Sequence, residues 1–491
     1  MKGICTETIS WSFDEVTGRF VVSGTGAMPE YEKDIPAPWA NLREQIREVV
    51  IEEGITEVAE FGFYQCPNLE TISIPSSANV LGCYCFSECD SLKEANLPEG
   101  VRLIGFRAFC KCGSLKRVYI PYSVAAIEKK AFGYCPALEE VVYAGNEEQW
   151  NRIRIGLMTE ESTSFLQVPR RYEEKGTPER PEDMLDAVWF ADRKESIPVL
   201  DMVKEILNRG GDGRLHWILP EMNVPEGREF KTCDIALVIF PDGQTMMIDA
   251  GIGHAKEKAM KAVKRMGLKS LDYLLITHLH RDHVQNGIRI AEYLYEQGGN
   301  VGTMFATRFR KGKIYPQLVE YLEEKGTDLQ ENVMEGDRWE IGGVDVQVFW
   351  PSEEQLAAVK EPYEKSANPI SITTKFTLGK SSFMTAGDLY RAQERYLVSK
   401  YGDELKADVM KLNHHGNVTS NSREWMETVD AGLVLCPTMC YDLGDTKLAE
   451  RILREGKTYW TPGLNGDIWI SMDRDGRIEA NASFGKIWRK E

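Results

Sequence analysis

The densest cluster of residues able to do chemistry is His278-Leu-His280-Arg-Asp282-His283. Imidazole nitrogens and carboxylate oxygens are the ligands that suit zinc and its first-row neighbours. The chain has only seven histidines, and capping or surface roles do not explain why three fall within six positions. These residues lie in a loop that follows a strand. In such a loop His278 and His280, two positions apart, can bind one cation while Asp282 and His283 face another. The cluster therefore predicts a metal site.

Two later strand ends extend the predicted site. The strand in SSFMTAGDL ends in Gly387-Asp388, and the carboxylate of Asp388 is placed to bridge two cations. The strand in ADVMKLNHHGN ends in His414-His415-Gly416, so that five of the seven histidines lie in two strand-end motifs. Because α/β sheets tend to place their chemistry at the carboxyl ends of strands, we expect these segments to meet the first cluster.

Short strands and one helix must position these residues. A hairpin is predicted for strands 235–240 and 245–248, joined by a Pro-Asp-Gly turn. A helix is predicted over 255–266, followed by a buried strand over 271–276. That strand runs directly into His278, which places the first metal motif at its carboxyl end.

The N-terminal third contains a 23-residue repeat. Each unit is one short strand and a turn, too small to bury its own apolar face, so neighbouring units must stack. The in-phase cysteines are therefore predicted to be small buried hydrophobes in a ladder, and not metal ligands or disulfides. The residues in phase are Phe63, Phe86, Phe109 and Phe132; Cys66, Cys89, Cys112 and Cys135; and Leu69, Leu92, Leu115 and Leu138.

This repeat resembles the BspA-type leucine-rich repeat over about residues 46–145. The preceding TISWSFDEVTGRFVVSGTGAMPEYE resembles the β-rich N-terminal cap of that family. The resemblance implies a solenoid that serves in adhesion or protein interaction, and members are often exported. No residue of the repeat identifies a protein partner.

The later motifs resemble the metallo-β-lactamase superfamily, whose fold is an αββα sandwich. HLHRDH carries the resemblance, together with MMIDAG before it and TAGDL and HHG after it. The branch typified by the ComEC competence proteins is similar in four further features, over about residues 215–478. These are DIALVIFPDGQTMMIDAG, Asn368-Pro-Ile-Ser371, ADVMKLNHHG followed by Ser420 and Ser422, and YWTPGLNGDIWIS.

Carried over motif by motif, the resemblance implies two divalent metal ions, zinc in the first place and manganese or iron as alternatives. His414 would face the substrate as an acid or a phosphate contact, although His414 and His415 could exchange roles. Many members have one more histidine between the first motif and the bridging aspartate, and this chain has none between His283 and Asp388. We therefore expect the first metal to be less fully coordinated. The implied ligands are His278 and His280 for one metal, Asp282, His283 and His415 for the other, and Asp388 as the bridge.

The implied function is a metal-dependent hydrolase that attacks its substrate with a metal-bound hydroxide at a binuclear site. Phosphodiester hydrolysis is the preferred reaction, with catalytic roles for Asp282, Asp388 and His414, and with Lys411 or Arg281 near the phosphate. Hydrolysis of a carboxylic ester, thioester or lactone is an alternative. A second alternative is an interaction protein that binds through its repeats and carries a vestigial hydrolase domain.

Composition narrows the choice of substrate and location. The formal net charge of -17 disfavours a long nucleic acid and favours a small phosphodiester or ester. One basic cluster, over residues 308–313, is predicted to be an ordinary solvated loop, with a substrate-phosphate contact as the alternative. No apolar run reaches membrane-spanning length and no signal peptide is recognised, so a cytoplasmic protein is expected unless an export signal precedes this sequence.

The sequence predicts a multidomain chain: an N-terminal BspA-type leucine-rich-repeat solenoid and a C-terminal αββα metallo-β-lactamase sandwich. A charged, proline-bearing stretch from Tyr172 and a helix over about 197–208 separate the two. The predicted boundaries are a cap over 1–45, repeats with a C-terminal cap over 46–160, a linker with a helix over 161–212, and the hydrolase domain over 213–491.

Overall fold

A computed structural model describes residues 1–32, 35–156, 164–173, 194–222, 233–310, 312–359, 367–437 and 445–490. It divides into two compact units. One unit comprises residues 1–183 with 445–447, and the other comprises 184–444 with 448–491. Within the predicted linker, 161–212, residues 161–163 and 174–193 lie outside the described residues.

The described part of the first unit is built of short strands, the 3-10 helix Ala40–Leu42 and the one-turn helices α1 (Glu147–Trp150) and α2 (Ser164–Gln167). Its strands are β1 (Lys2–Ile4), β2 (Ile9–Asp14), β3 (Arg19–Gly24), β4 (Gly26–Ala27), β5 (Glu48–Ile51), β6 (Ile55–Val58), β7 (Thr71–Ser73), β8 (Val80–Leu81), β9 (Glu94–Asn96), β10 (Leu103–Ile104), β11 (Arg117–Ile120), β12 (Ala126–Ile127), β13 (Glu140–Tyr143), β14 (Arg154–Ile155) and β15 (Arg170–Tyr172).

Parallel ladders link equivalent strands of successive repeats. One sheet has the order β14-β12-β10-β8-β6-β4 and another has the order β15-β13-β11-β9. Within the first, Leu103 pairs with Val80 on one side and with Ala126 on the other, each 23 residues away. The predicted β-rich cap forms the antiparallel strands β1 to β3, and β3 continues into the array by pairing with β5. The solenoid predicted from the 23-residue period is therefore confirmed.

Stacked side chains form the core of this array. The rings of Phe63, Phe86, Phe109 and Phe132 stack in sequence, with centroids 5.3–5.5 Å apart. The four in-phase cysteines are buried free thiols. Cys112, for example, donates its thiol hydrogen to the carbonyl oxygen of Phe86, at 3.3 Å. These four cysteines are therefore buried and form no disulfides, as predicted.

The second unit is a two-sheet sandwich with helices outside. Its helices are α3 (Val199–Arg209), α4 (Lys256–Met266), α5 (Arg281–Val284), α6 (Gly287–Glu296), α7 (Ile314–Glu324), α8 (Glu353–Ala358), α9 (Arg391–Tyr401), α10 (Arg423–Val429), α11 (Thr446–Arg454) and α12 (Pro462–Asn465). Its strands are β16 (Leu215–Leu219), β17 (Ala236–Ile239), β18 (Thr245–Ile248), β19 (Leu271–Leu275), β20 (Val301–Phe305), β21 (Asp328–Gln330), β22 (Arg338–Ile341), β23 (Val344–Trp350), β24 (Thr373–Leu378), β25 (Ser381–Thr385), β26 (Val409–Lys411), β27 (Leu433–Leu435), β28 (Thr458–Trp460), β29 (Ile468–Met472), β30 (Ile478–Ala482) and β31 (Lys486–Lys490).

The two sheets pack face to face. The nine-stranded sheet has the order β21-β20-β19-β18-β17-β16-β29-β30-β31, and the seven-stranded sheet runs from β22 to β28 in sequence order. Between them lies an apolar core in which Trp217 of β16 stacks on Phe383 of β25, with ring centroids 3.7 Å apart. The second unit is thus the αββα sandwich that the motifs predicted.

The elements predicted around the metal motifs are present. The hairpin forms as β17 and β18, the buried strand as β19, and the helix before it as α4. The helix expected at 197–208 is α3, and its Asp201 accepts a hydrogen bond from Arg265 of α4. Within the described part of the chain, no helix is both long and apolar enough to cross a membrane.

Candidate metal centre

The predicted site residues all follow the carboxyl ends of strands. His278 lies three residues after β19, and Asp282 and His283 lie on the short helix α5 that follows. Asp388 follows β25, and His414 and His415 follow β26. Strands β18 and β19 are parallel neighbours in one sheet, and β25 and β26 are parallel neighbours in the other. The sandwich therefore brings the carboxyl ends of both pairs to one place.

Asp388 lies at the centre of this group. Its Oδ1 is 3.4 Å from Nε2 of His283 and 3.4 Å from Nε2 of His415. Its Oδ2 is 3.7 Å from Nε2 of His278 and 3.8 Å from Nε2 of His414. Each carboxylate oxygen thus faces its own set of imidazoles, as a bridging carboxylate would.

The donor atoms fit divalent cations. In the described part of the chain, Nε2 of His278, His283 and His415 and Oδ1 of Asp388 are buried and have no hydrogen-bond partner. Buried polar atoms are normally satisfied, so these four await a partner of another kind. Two ligand atoms that share a tetrahedral cation at about 2.0–2.2 Å lie roughly 3.3–3.6 Å apart, close to the separations seen here.

The ligand-type atoms fall into two groups, each with all its atoms within 4.8 Å of one another. One group is His278, His280 and Asp388, as the sequence predicts for the first metal. The other is His283, Asp388, His415 and a residue that the sequence did not suggest, Asp234.

Asp282, predicted for the second position, is adjacent to the second of these groups. Its Oδ2 lies 3.3 Å from Nε2 of His415. The geometry therefore brings all six predicted metal ligands into one cluster and adds Asp234 to them.

A second carboxylate that sequence analysis missed fixes the orientation of His283. Nδ1 of His283 lies 2.7 Å from Oδ2 of Asp249. The backbone N–H and the hydroxyl of Thr277 donate to the same carboxylate, at 2.8 and 2.7 Å. The hydrogen bond between Nδ1 of His283 and Asp249 leaves Nε2 of His283 available to a metal, an arrangement common among metal-binding histidines. Asp249 lies within the MMIDAG segment quoted above, but no ligand spacing marks it.

His415 is oriented in the same way by a backbone group. Its Nδ1 lies 3.3 Å from the carbonyl oxygen of Pro437. Because a carbonyl oxygen can only accept, Nδ1 carries the proton and Nε2 faces Asp388. His415 is 4% exposed and is the inward member of the histidine pair.

His414 is the outward member of the pair. Its side chain is 21% exposed, and Nδ1 lies 2.7 Å from the hydroxyl oxygen of Thr419. Nε2 lies 3.4 Å from the amide nitrogen of Asn368, and the ring is 5.5 Å from that of Tyr390. Burial of most of the ring lowers the pKa of His414 to about 4, so that it is neutral near pH 7. This placement agrees with the predicted division of roles between His414 and His415.

Charges within the site compensate one another in the absence of cations. Burial, reinforced by neighbouring His283, holds the pKa of His278 well below its usual range, so that its ring is neutral. Burial also opposes a charge on His415, yet Asp388 and Asp282 raise the pKa of His415 to about 9. A proton on His415 therefore balances carboxylates at a position where a cation would do the same.

Lys411, predicted near the phosphate, and the basic cluster over 308–313, predicted to be a solvated loop with a phosphate contact as the alternative, both have acidic partners. Lys411 is 3% exposed and donates to Oδ2 of the equally buried Asp234, so it does not present its charge to a substrate. In the basic cluster, Arg308 pairs with Glu353 at 2.8 Å and Arg310 pairs with Glu331. These ion pairs favour the interpretation of the cluster as an ordinary surface loop.

Comparison with known proteins identifies the same two regions. The family model described as BspA type leucine rich repeat region matches residues 41–146 in six copies. The model described as metallo-beta-lactamase superfamily matches residues 231–292. Both resemblances inferred from the motifs are confirmed.

Two curated relatives match at low identity. Competence protein ComA of Neisseria gonorrhoeae is 24% identical over 262 residues, which cover 52% of this chain and 34% of that protein. ComE operon protein 3 of Bacillus subtilis is 26% identical over 161 residues, which cover 33% of this chain and 19% of that protein. The chain thus spans about a fifth to a third of the length of these relatives.

Among solved structures, the metallo-beta-lactamase fold protein YhfI of Bacillus subtilis matches with 12% identity and a TM-score of 0.36. That match covers 56% of this chain and all of the YhfI chain.

Proposed function

We propose that this chain, which joins a BspA-type leucine-rich repeat region to a metallo-β-lactamase-fold domain, is a metal-dependent phosphodiesterase. The observation that carries the proposal is the position of Asp388, whose two carboxylate oxygens face two separate sets of imidazoles. A single bridging carboxylate between two ligand sets is what a binuclear hydrolase needs.

Two divalent cations would be held by the residues around Asp388. His278 and His280 would hold the first, and His283 and His415 the second, with Asp282 and Asp234 beside it. Zinc suits this nitrogen and oxygen donor set best, and manganese or iron would also fit it. When bound, the cations would lower the pKa of a coordinated water and stabilise negative charge that develops on the substrate.

The charges of the site favour bound cations. Asp234 pairs with Lys411, whereas Asp249, Asp282 and Asp388 face imidazoles, so protons on those histidines or bound cations must balance the carboxylates. Burying such charges without compensation is very costly. Divalent cations would provide this compensation and release the imidazole protons.

The chain's own groups have separable tasks in this proposal. Oδ2 of Asp282 accepts the proton of the attacking water, because Asp282 lies beside the second cation position and its side chain is 19% exposed. His414 contacts the phosphoryl group from the open side, and Thr419 fixes the orientation of its ring. His415 and His278 are too deeply buried to contact a substrate in this way, and they would hold the cations.

For the repeat region, we propose protein interaction. Support comes from the BspA-type family match over residues 41–146. A stacked array presents a long ribbon of side chains, which suits the binding of a protein partner.

A substrate panel tests the hydrolase proposal. We expect metal-loaded protein to hydrolyse bis-p-nitrophenyl phosphate in preference to thioester and lactone substrates. Asp388→Ala should abolish this activity, and the matched variant Asp475→Ala, at an exposed position, should retain it. Preferential hydrolysis of a thioester or lactone would overturn the phosphodiester assignment, and activity that survives in Asp388→Ala would exclude the site.

A further inference from the structure

The loop that carries His414 and His415 has an unfavourable backbone. His414 and His415 adopt φ values of 49° and 53°, and Asn421, at the end of the same loop, has a φ of 61°. Left-handed conformations are unfavourable for non-glycine residues, and they persist only where the surroundings enforce them. The loop therefore requires a structure that holds it.

A buried carboxylate on a neighbouring helix provides this restraint. Glu394 lies on α9 and is 0% exposed. Its Oε1 accepts hydrogen bonds from Nδ2 of Asn413 and from the backbone N–H of Asn421, both at 2.7 Å. Its Oε2 accepts from the backbone N–H of Ser422, also at 2.7 Å. One side chain thus ties the first residue of the loop to its last two.

The two ends of the loop also bind each other. The backbone N–H of Asn413 donates to Oδ1 of Asn421, at 2.9 Å. Nδ2 of Asn421 donates to the carbonyl oxygen of Asn413, also at 2.9 Å. This pair closes the base of the loop, and Glu394 attaches the closed base to α9.

The helix that bears Glu394 begins three residues after Asp388. The backbone N–H of His414 donates to the carbonyl oxygen of Gly387, at 3.0 Å. The backbone N–H of Arg391, the first residue of α9, donates to the carbonyl oxygen of Thr419, also at 3.0 Å. The helix therefore joins the segment that carries Asp388 to the loop that carries His415.

We propose that Glu394 is a positioning residue that holds His415 against Asp388 and so sets the affinity of the second cation position. This inference rests on the proposed function and extends it to a residue outside the ligand cluster. Glu394 itself touches neither the cations nor the substrate. It acts through the backbone of the loop, and its loss leaves the ligands of the first cation, His278 and His280, in place.

Cation titration of the folded protein tests this role. We propose Glu394→Gln, which keeps the side-chain shape but places an amide N–H group against a donor. Binding of Co²⁺ to metal-free protein should be followed by its visible absorption, with folding checked by circular dichroism. We expect the first equivalent to bind as in the wild type and the second to bind about 10–100-fold more weakly, the range found when groups that orient metal ligands are lost.

Asp408→Asn is the matched control. Oδ2 of Asp408 accepts from the backbone N–H of Ser382 at 2.7 Å, so it is also a carboxylate that holds backbone, at the opposite end of β26. This variant should lower stability without changing either Co²⁺ affinity. If Glu394→Gln does not fold, Asn413→Ala replaces it, because this variant removes the side-chain amide that donates to Oε1 of Glu394.

The outcomes separate this inference from the proposed function. A second Co²⁺ site of unchanged affinity in Glu394→Gln, or in Asn413→Ala if that variant is needed, would overturn the positioning role. An equal loss of affinity in Asp408→Asn would also overturn it, because the effect would then be one of general stability. Wild-type protein that binds no Co²⁺ would overturn the proposed function itself.

Discussion

Nδ1 of His283 lies 2.7 Å from Oδ2 of Asp249, and both side chains are fully buried. The hydrogen bond turns Nε2 of His283 toward Oδ1 of Asp388, which is 3.4 Å away. Asp249 therefore determines which ring nitrogen of His283 is available to a metal. It contributes to the candidate centre without being one of its ligands.

Replacement of Asp249 by Asn should weaken cation binding. The amide offers only one acceptor oxygen in place of the two that now receive Thr277 and His283. We expect an affinity loss of about 10–100-fold at the second position, measured by competition with a coloured chelator. Asp272→Asn is the control. Asp272, near the start of β19, accepts a hydrogen bond from the backbone N–H of Thr245 in β18, and this variant should bind cations as the wild type does. Unchanged affinity in Asp249→Asn would contradict the orienting role.

Alanine variants of His414 and His415 should have different effects on cation content and on kcat. His415→Ala should lose one cation per chain, because Nε2 of His415 faces Oδ1 of Asp388 from a buried position. His414→Ala should keep both cations while kcat on bis-p-nitrophenyl phosphate falls about 10²–10³-fold, the usual effect of losing one group that stabilises charge developing on the substrate. Metal analysis and steady-state kinetics on the two variants give the answer. The opposite pattern would exchange the roles of the two histidines.

The pair formed by Lys411 and Asp234 should matter for stability before any metal is added. Lys411→Met leaves a buried carboxylate without its ammonium partner, which costs about 3–5 kcal/mol. Urea unfolding of chelator-treated protein measures this loss. The double variant Asp234→Asn with Lys411→Met should recover part of it, because no unpaired charge remains. A loss below about 1 kcal/mol in the single variant would show that water reaches the carboxylate.

The thiols of the repeat array should be chemically inert in the native state. Burial raises the pKa of Cys66 to about 12 and that of Cys110 to about 11, and the thiolate is the reactive form. Alkylation at pH 8, followed by peptide mapping, should label half-buried Cys5 first. The nine cysteines described as buried should be labelled only after addition of denaturant. Rapid native labelling of Cys66 or Cys110 would show that the array opens locally.

The sequence predicted the repeat array because identical positions recur at a constant spacing. A period of 23 residues places Phe86 on Phe109 in any stacked arrangement, and the rings do stack. Strand positions were also predictable, because apolar runs such as that ending at Leu275 are bounded by polar or turn residues. In the hairpin, the predicted and observed ends of each strand differ by at most one residue: the strand predicted over 235–240 is β17, Ala236–Ile239.

The site was only partly predictable from sequence. The spacing of His278, His280 and Asp282 is set by one loop, so it is visible in the sequence. Asp249 and Asp234 lie 34 and 49 residues before His283, and no spacing rule connects carboxylates that folding brings together. The pairing of Lys411 with Asp234 joins residues 177 positions apart.

That pairing also makes Lys411 the less favourable of the two residues, Lys411 and Arg281, that were predicted near the phosphate. A lysine at the end of an apolar strand suggests a side chain whose ammonium group points out of the core, where it can contact a substrate. Here Lys411 belongs to β26 itself, and a buried aspartate from the other sheet neutralises it.

The number of divalent cations bound per folded chain tests the central claim most directly. Elemental analysis of the protein after equilibration with zinc and gel filtration should give two zinc ions per wild-type chain. Asp388→Ala should retain fewer than one, because the variant loses the carboxylate shared by both positions. A folded wild-type chain that retains no zinc, manganese or iron would contradict the account of this site as a binuclear metal centre.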